Sequence, residues 1–336
     1  MAEELKLAFV GCGAISQLHL FGIESGKAPI RVTAAVDPDR AKAEEVAAKT
    51  GAAVFTSLEE ALAHGDFDAV DLMLPHHLHE PVALQAFAAG KHVLLEKPMA
   101  PTVDSCNRIL DAARKAGTVF LVAENAQYWP EAVTAKKLID DGAIGDVVTA
   151  RSVIFFQPLD LFYGGERPWR FDKKVTGGGI AVDAGSHWIR PLRMWLGEID
   201  EVVAALGYPF SRMEGESLVH ALLRFRSGIV ATFDALLTDA PLGPDVLFRI
   251  TGSKGEITVD IGGHVLLYDA EHRKGRQVGE TEGYLNSYRG EFLDFAAAIL
   301  EGKPPAATAE HSLGELRAAL AMYRSAESGR WEKVWE

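Results

Sequence analysis

Three groups of residues in this chain have types and spacings that chemistry can use. The first is Val10-Gly11-Cys12-Gly13-Ala14-Ile15-Ser16, which joins an apolar run to a helical stretch. Two glycines there allow a tight turn and a close backbone approach. The N–H groups that open the helix, at Ala14 and Ile15, suit a pyrophosphate. Ser16 stands where a third glycine would let helix and strand pack most closely. Asp37 ends the next apolar run, at roughly the 20-residue distance expected of a carboxylate that accepts from a ribose 2′-hydroxyl. An aspartate at that place repels a 2′-phosphate and favours NAD. Arg40 can pair with such a phosphate or stack on adenine, which leaves NADP open. The plainer alternative is a glycine turn followed by an Asp-capped helix with no ligand, and Cys12 reads as a small loop residue rather than a redox centre.

The second group lies at the ends of further apolar runs: Leu74-Pro75-His76-His77-Leu78-His79, Glu96-Lys97-Pro98, and Glu124-Asn125. Ligands of open parallel sheets bind beyond the carboxyl ends of the strands. Leu74, Pro75, His76, His79, Glu96, Lys97 and Asn125 are therefore expected to bind cofactor together with Gly11, Gly13, Ala14, Ile15, Asp37 and Arg40. Histidines 76, 77 and 79 lack the Cys or carboxylate cluster that would complete a zinc site, so no metal is expected.

The third group is Gly177-Gly178-Gly179-Ile180-Ala181-Val182-Asp183-Ala184-Gly185-Ser186-His187. A helix expected over Ile180–Leu196 puts Asp183 and His187 on one face. Histidine is the side chain that titrates nearest neutrality and the commonest general acid or base. An ammonium such as that of Lys97 stabilises a developing alkoxide. The plainer readings are a surface lysine, a satisfied core histidine and a helix-face charge. Upstream, Trp169 and Arg170 sit in the aromatic loop Phe162–Phe171 with Tyr163 and Arg167. The Trp offers a flat apolar face and the Arg donates to hydroxyls or to cofactor, so Tyr163, Trp169 and Arg170 are expected to touch substrate. Pro191 lacks the N–H that would bond the His187 carbonyl. Either the helix kinks there and Arg190 turns toward the substrate pocket, or a new helix starts at Pro191.

The elements that must position these groups alternate at first. Leu5–Val10, Val32–Val36, Ala69–Leu74, His92–Leu95 and Val119–Ala123 read as strands apolar on both faces, with helices over Ala14–Ser25, Pro38–Thr50, Leu58–Ala63, Leu78–Ala89 and Thr102–Ala116. Thr56 or Ser57, with Glu59 or Glu60 three residues on, opens the third helix as a capping box. Gly51, Gly90 and Gly117 stop helices where a left-handed residue is wanted. This alternation implies an α/β fold with a doubly wound parallel sheet. After about Ile144, hairpins replace it: Ser217–Phe225 with Ile229–Leu236, and Leu247–Thr251 with Glu256–Val259. Helices over Ser287–Leu300 and Ser312–Ser325 close the chain. The organisation expected is a dinucleotide-binding domain over 1–125 and an α+β domain with a large, mainly antiparallel sheet over 126–336, whose last helices return toward the first domain.

Composition agrees with an ordinary folded protein. The 336 residues are 48% hydrophobic and 24% charged, with 34 Lys and Arg against 47 Asp and Glu, a net charge of −13. That excess of acid argues against a nucleic-acid backbone or an anionic membrane as partner. No apolar run approaches the ~20 residues of a membrane span. The acidic start Met1-Ala2-Glu3-Glu4 is not a signal peptide. Two cysteines, Cys12 and Cys106, exclude a disulfide scaffold and suit the cytoplasm.

Taken together, the chain resembles the glucose–fructose oxidoreductase / inositol dehydrogenase family of NAD(P)-dependent oxidoreductases. The resemblance runs from the Gly11–Ser16 loop through Glu96-Lys97-Pro98 and Trp169-Arg170…Gly177-Gly178-Gly179…Asp183…His187 to Pro304–Trp331. It implies that Lys97, Asp183 and His187 surround the reacting carbon of a sugar, sugar derivative or cyclitol. It also implies a homodimer or homotetramer formed through the C-terminal sheet. Two positions depart from the family: Arg190 stands where Asp is frequent and Gln127 where Arg is frequent, and both are expected near substrate. On this reading His187 is the general acid/base, Lys97 holds the reacting oxygen, and Asp183 orients the imidazole or a neighbouring hydroxyl. Two other functions share these motifs: an NAD-dependent redox-cycling enzyme that cleaves glycosides, and a non-catalytic dinucleotide-binding regulator.

Overall fold

The computed structural model describes residues 4–165, 168–243, 246–260 and 262–336. Arg167 and residues 1–3 lie outside them. The chain divides into two compact units, residues 1–125 with 288–313 and residues 126–287 with 314–336.

In the first unit, β1 (Leu5–Val10), β2 (Ile30–Val36), β3 (Ala53–Phe55), β4 (Ala69–Leu72), β5 (His92–Glu96) and β6 (Phe120–Ala123) form one parallel sheet in the order β3-β2-β1-β4-β5-β6. The connecting helices are α1 (Ala14–Gly26), α2 (Arg40–Thr50), α3 (Leu58–His64), α4 (His79–Ala88) and α5 (Val103–Ala116). Strands covered on both faces must be apolar throughout, and β4 is buried along its whole length. Ser57 is the cap of α3: its hydroxyl accepts from Glu60 N–H at 3.2 Å, while the Glu60 carboxylate accepts from Thr56 N–H at 3.0 Å. Gly51 and Gly117 end α2 and α5 at φ 75° and 67°, a conformation only glycine adopts without strain. The strand order reverses between β1 and β4, the place where such sheets bind ligands.

The first unit is discontinuous: the expected 1–125 is joined by residues 288–313, part of the closing segment expected to return toward it. Phe292, Phe295 and Ala296, from the helix Ser287–Leu300, are buried in one cluster with Leu7, Phe9, Leu20 and Ile23. Apolar area removed from water decides the assignment: the face of that helix bearing Phe292 and Phe295 has its core partners in β1 and α1.

In the second unit, nine strands form a sheet in the order β14-β13-β12-β11-β7-β10-β9-β8-β15. They are β7 (Val147–Phe156), β8 (Ile199–Gly207), β9 (Leu218–Phe225), β10 (Val230–Leu237), β11 (Val246–Gly252), β12 (Glu256–Asp260), β13 (Val265–Tyr268), β14 (Arg276–Gln277) and β15 (Glu332–Lys333). The hairpins β9–β10 and β11–β12 are those the sequence marks. The sheet is mainly antiparallel, with β7 and β10 paired in parallel. Val219, Ala221, Leu223 and Phe225 of β9 face a core. Leu222, with Arg151 and Arg249 in register beyond Thr232, lies on the opposite, exposed face.

The helix expected over Ile180–Leu196 begins only at Ser186; residues 180–185 are turns. Pro191 lies inside that helix rather than starting a new one, so the second of the two sequence alternatives is excluded. Nearby, the Trp188 carbonyl accepts from the Ser152 hydroxyl at 3.3 Å. Among the described residues, no helix is long and apolar enough to cross a membrane.

Truncating Phe292 to Ala is expected to destabilise the first unit by about 3–5 kcal/mol, the usual cost of emptying a buried phenylalanine site. Urea unfolding followed by a probe in β1 or α1 reads it. An unchanged midpoint would show that this helix does not belong to that core.

Candidate functional site

The glycine loop is shaped by close contacts. Gly11 has φ +93°, and a Cβ there would stand 2.2 Å from the Met73 carbonyl oxygen, so no other residue fits between β1 and the end of β4. Gly13 precedes α1 with no side-chain cap, and a Cβ there would enter open space. The N-terminus of α1 thus faces a cradle that glycine leaves empty, with its first N–H groups and the positive end of the helix dipole turned outward. Buried Ser16 donates to the Gly13 carbonyl at 2.7 Å.

Asp37 holds this loop from the end of β2. One carboxylate oxygen accepts from Cys12 N–H at 2.8 Å and the other from Asp39 N–H at 2.9 Å. Each oxygen keeps a further lone pair, so acceptance from ribose hydroxyls remains possible. Burial, then the Asp37 charge, pushes the Cys12 thiol up to about 12, which makes it inert as a thiolate. Arg40 is exposed and pairs with Glu44 at 2.9 Å. A pyrophosphate, a ribose and their charges fit these donors and acceptors.

Other expected cofactor residues stand at the carboxyl ends of adjacent strands. Leu74 and Pro75 follow β4 half-buried, Lys97 follows β5 half-buried, and Asn125 follows β6 fully buried. Glu96 accepts from Lys97 N–H at 2.9 Å through one carboxylate oxygen and faces His19 with the other. His76 is buried. His79 is too, with its ring between the Leu74 carbonyl at 2.8 Å and the Pro98 carbonyl at 3.0 Å. Burial pushes the His79 pKa below its ordinary value, against the two carbonyls that flank the ring. Among the described residues, no group of three or more His, Cys, Asp or Glu is placed to hold a metal.

In the second unit, Asp183 gathers two expected substrate residues, and a third, Trp169, lies against one of them. Tyr163 Oη donates to its carboxylate at 3.4 Å, and Arg170 Nε lies 3.5 Å from the same oxygen. The Arg170 guanidinium covers the Trp169 ring at 4.4 Å and the Phe162 ring at 5.3 Å. Burial, then the Asp183 charge, holds the Tyr163 phenol well above its ordinary range, so it stays a donor. His187, on the first turn of its helix, is half-buried edge-on to Tyr284 at 5.9 Å. Asp183 itself lies in the turn before the helix, not on a helix face with His187.

The turn is fixed by residues the sequence did not single out. Glu216 accepts from Ala181 N–H at 3.0 Å and from Tyr323 Oη at 2.9 Å, and Tyr323 Oη accepts from Gly179 N–H at 3.1 Å. A Cβ on Gly178 would stand 2.1 Å from Tyr323 Oη, and one on Gly179 would stand 2.1 Å from the Glu216 carbonyl. The glycine run is the only local signal of these contacts.

The Arg190 side chain lies in the interior of the second unit. It is buried, bidentate with Glu315 at 2.8 and 3.1 Å, and donates to Gln127 at 3.2 Å. Arg193 joins the same carboxylate. A buried guanidinium needs its carboxylate, and this pairing fixes Arg190 and Gln127 as parts of an interior network.

Two family models match. Residues 5–124 match the oxidoreductase family, NAD-binding Rossmann fold, and residues 136–334 match the oxidoreductase family, C-terminal alpha/beta domain, both of Gfo/Idh/MocA type. A 1,5-anhydro-D-fructose reductase from Ensifer adhaerens is 30% identical over 289 residues, covering 83% of each chain. A levoglucosan dehydrogenase, solved with NADH and levoglucosan, is 25% identical with a TM-score of 0.88 and covers 99% of this chain and 100% of its own. An oxidoreductase from Thermotoga maritima is 31% identical with a TM-score of 0.87, covering 98% of each chain. The chain belongs to the Gfo/Idh/MocA family and is an NAD-binding oxidoreductase.

Proposed function

We propose that this oxidoreductase transfers a hydride between NAD and a secondary hydroxyl of a sugar, a sugar derivative or a cyclitol. The observation that carries the reading is the grouping at Asp183, a buried carboxylate that collects a phenol and a guanidinium beside two aromatic faces. Such groups pair with adjacent hydroxyls, and Trp169 offers an apolar face to a sugar ring. The levoglucosan dehydrogenase and 1,5-anhydro-D-fructose reductase named above support the same substrate class.

Bound NAD supplies the hydride acceptor for oxidation and, as NADH, the donor for reduction. The chain's residues manage the oxygen and its proton. Lys97 hydrogen-bonds the reacting oxygen and stabilises the negative charge that develops on it. His187 takes the proton in oxidation and returns it in reduction. Asp183 accepts from a neighbouring hydroxyl, held in place by Tyr163 and Arg170. Gly11, Gly13, Ala14 and Ile15 receive the pyrophosphate, and Asp37 the adenosine ribose. Leu74, Pro75, Lys97 and Asn125 border the nicotinamide end.

The second unit supplies substrate binding, and the exposed face of its nine-stranded sheet joins copies of the chain into a dimer or tetramer. Two buried free cysteines suit a cytoplasmic protein.

Lys97→Ala and His187→Ala are each expected to lower kcat on the order of 100-fold, the usual size of a lost acid/base or electrostatic contribution. NAD affinity should change little. The assay is NADH formation on a substrate chosen from aldoses, inositols and anhydrosugars; near wild-type kcat in either variant removes that residue from the chemistry. Asp37 sets the cofactor: wild type is expected to favour NAD over NADP in kcat/KM, and Asp37→Ala to narrow the ratio. A tenfold preference for NADP in wild type would assign the choice to Arg40 instead.

A further inference from the structure

His19 lies on α1, fully buried, between two strands of the first unit. Its Nδ1 is 2.7 Å from Asp71 of β4 and its Nε2 is 3.0 Å from Glu96 at the end of β5. Glu291, from the helix Ser287–Leu300, stands 3.9 Å from the same Nε2. Tyr288 and Phe292 of that helix pack on the imidazole at 5.7 and 5.2 Å. The second oxygen of Glu96 accepts from Lys97 N–H. One imidazole therefore connects the helix that opens at the dinucleotide loop to the backbone of Lys97.

Both ring nitrogens face carboxylates, and a neutral imidazole has only one N–H to give. Burial by itself would lower the His19 pKa, but Asp71 and Glu96 outweigh it and hold the ring protonated well above its ordinary value. Burial pushes the Glu291 carboxyl well above the usual carboxylate range, against the pull of His19. Neither Glu291 oxygen has a hydrogen-bond partner among the described residues. Glu124, buried after β6, adds negative charge near Glu291. The flanking carboxylates thus favour the protonated imidazole, while burial raises the Asp71 and Glu291 carboxyls against the pull of His19.

We propose that His19 is a positioning residue, which clamps Glu96 so that Lys97 is held in one orientation at the carboxyl edge of the sheet and tied to the dinucleotide-binding helix. The consequence for the reaction rests on the assignment of Lys97 to the reacting oxygen; the clamp itself does not. Because the folded-state pKa of His19 is raised, its stabilisation is complete below the unfolded value of about 6.5. It declines as pH rises and is lost above the folded-state pKa.

Reductive [13C]methylation of the lysines tests it, with the Lys97 signal assigned through Lys97→Arg. His19→Gln is expected to shift the Lys97 dimethylamine resonance while the Lys6 and Lys91 signals stay in place. The same variant should lower kcat on the order of 10- to 100-fold with NAD affinity changed less than about threefold. Asp71→Asn, which leaves a polar partner beside the ring, should give the same Lys97 shift in smaller measure and serves where His19→Gln does not fold. A Lys97 signal unchanged in the folded variants overturns the clamp, as does a fall in kcat without that shift. A shift without a fall in kcat keeps the clamp and overturns the role of Lys97 in the reaction.

Discussion

Asp71 stands in β4 between Val70 and Leu72 with no solvent around it, and the first unit is organised by the need to answer that charge. An unpartnered carboxylate in an apolar interior costs tens of kcal/mol by simple solvation arguments, against a net stability of about 5–15 kcal/mol for a domain. The imidazole of His19 meets it at 2.7 Å and uses its other nitrogen on Glu96. The sheet, α1 and the end of β5 are thereby fixed to one another at the edge where β1 and β4 part. Directional polar bonds do at this edge what apolar packing cannot, because packing tolerates small rotations that a hydrogen bond does not.

The second unit repeats the principle with different groups. Glu315 and Glu198 answer the buried charges of Arg190 and Arg193, and Glu216 with Tyr323 secures the backbone of the glycine run. Burial pushes the Glu216 carboxyl above its usual range, against the hydrogen bonds it accepts. The turn that carries Asp183 is thus bonded from β9's approach and from the closing helix Leu313–Ser328. It presents one carboxylate to Tyr163 and Arg170 and leaves Trp169 flat beneath the guanidinium. A preorganised carboxylate of this kind meets a hydroxyl without first reordering its surroundings.

Much of this was legible in the sequence where the signal is local. The alternation of apolar runs and helices, the capping box at Ser57, and the Gly11 turn each follow from neighbours within a few residues. The signals that failed are long-range. The return of the closing helices toward the first domain is expected as a whole, but the apolar face of Ser287–Leu300 reads the same whichever core it joins, so nothing local assigns Phe292 in particular to that core. Asp183 and His187 have the spacing of a helix face, but Gly179 and Gly185 permit turns that Glu216 and Tyr323 then stabilise from distant positions. Arg190 has a partner 125 residues away in Glu315, and no reading of its neighbours reveals it. His19 and Asp71 carried a usable sign, since an ionisable residue inside a buried parallel strand demands a partner. Proline inside a helix reads as a disturbance, and the helix Ser186–Leu196 nonetheless runs through it.

In the function proposed above, the reaction ends with the nicotinamide changed. A redox-cycling glycoside-cleaving enzyme would restore it in every turnover. The direct measurement is the ratio of NADH formed, read at 340 nm, to substrate consumed, read by chromatography, over a full progress curve with excess NAD. Net dehydrogenation predicts that the two rise in equal amounts. Consumption of substrate with no accumulation of NADH would contradict it.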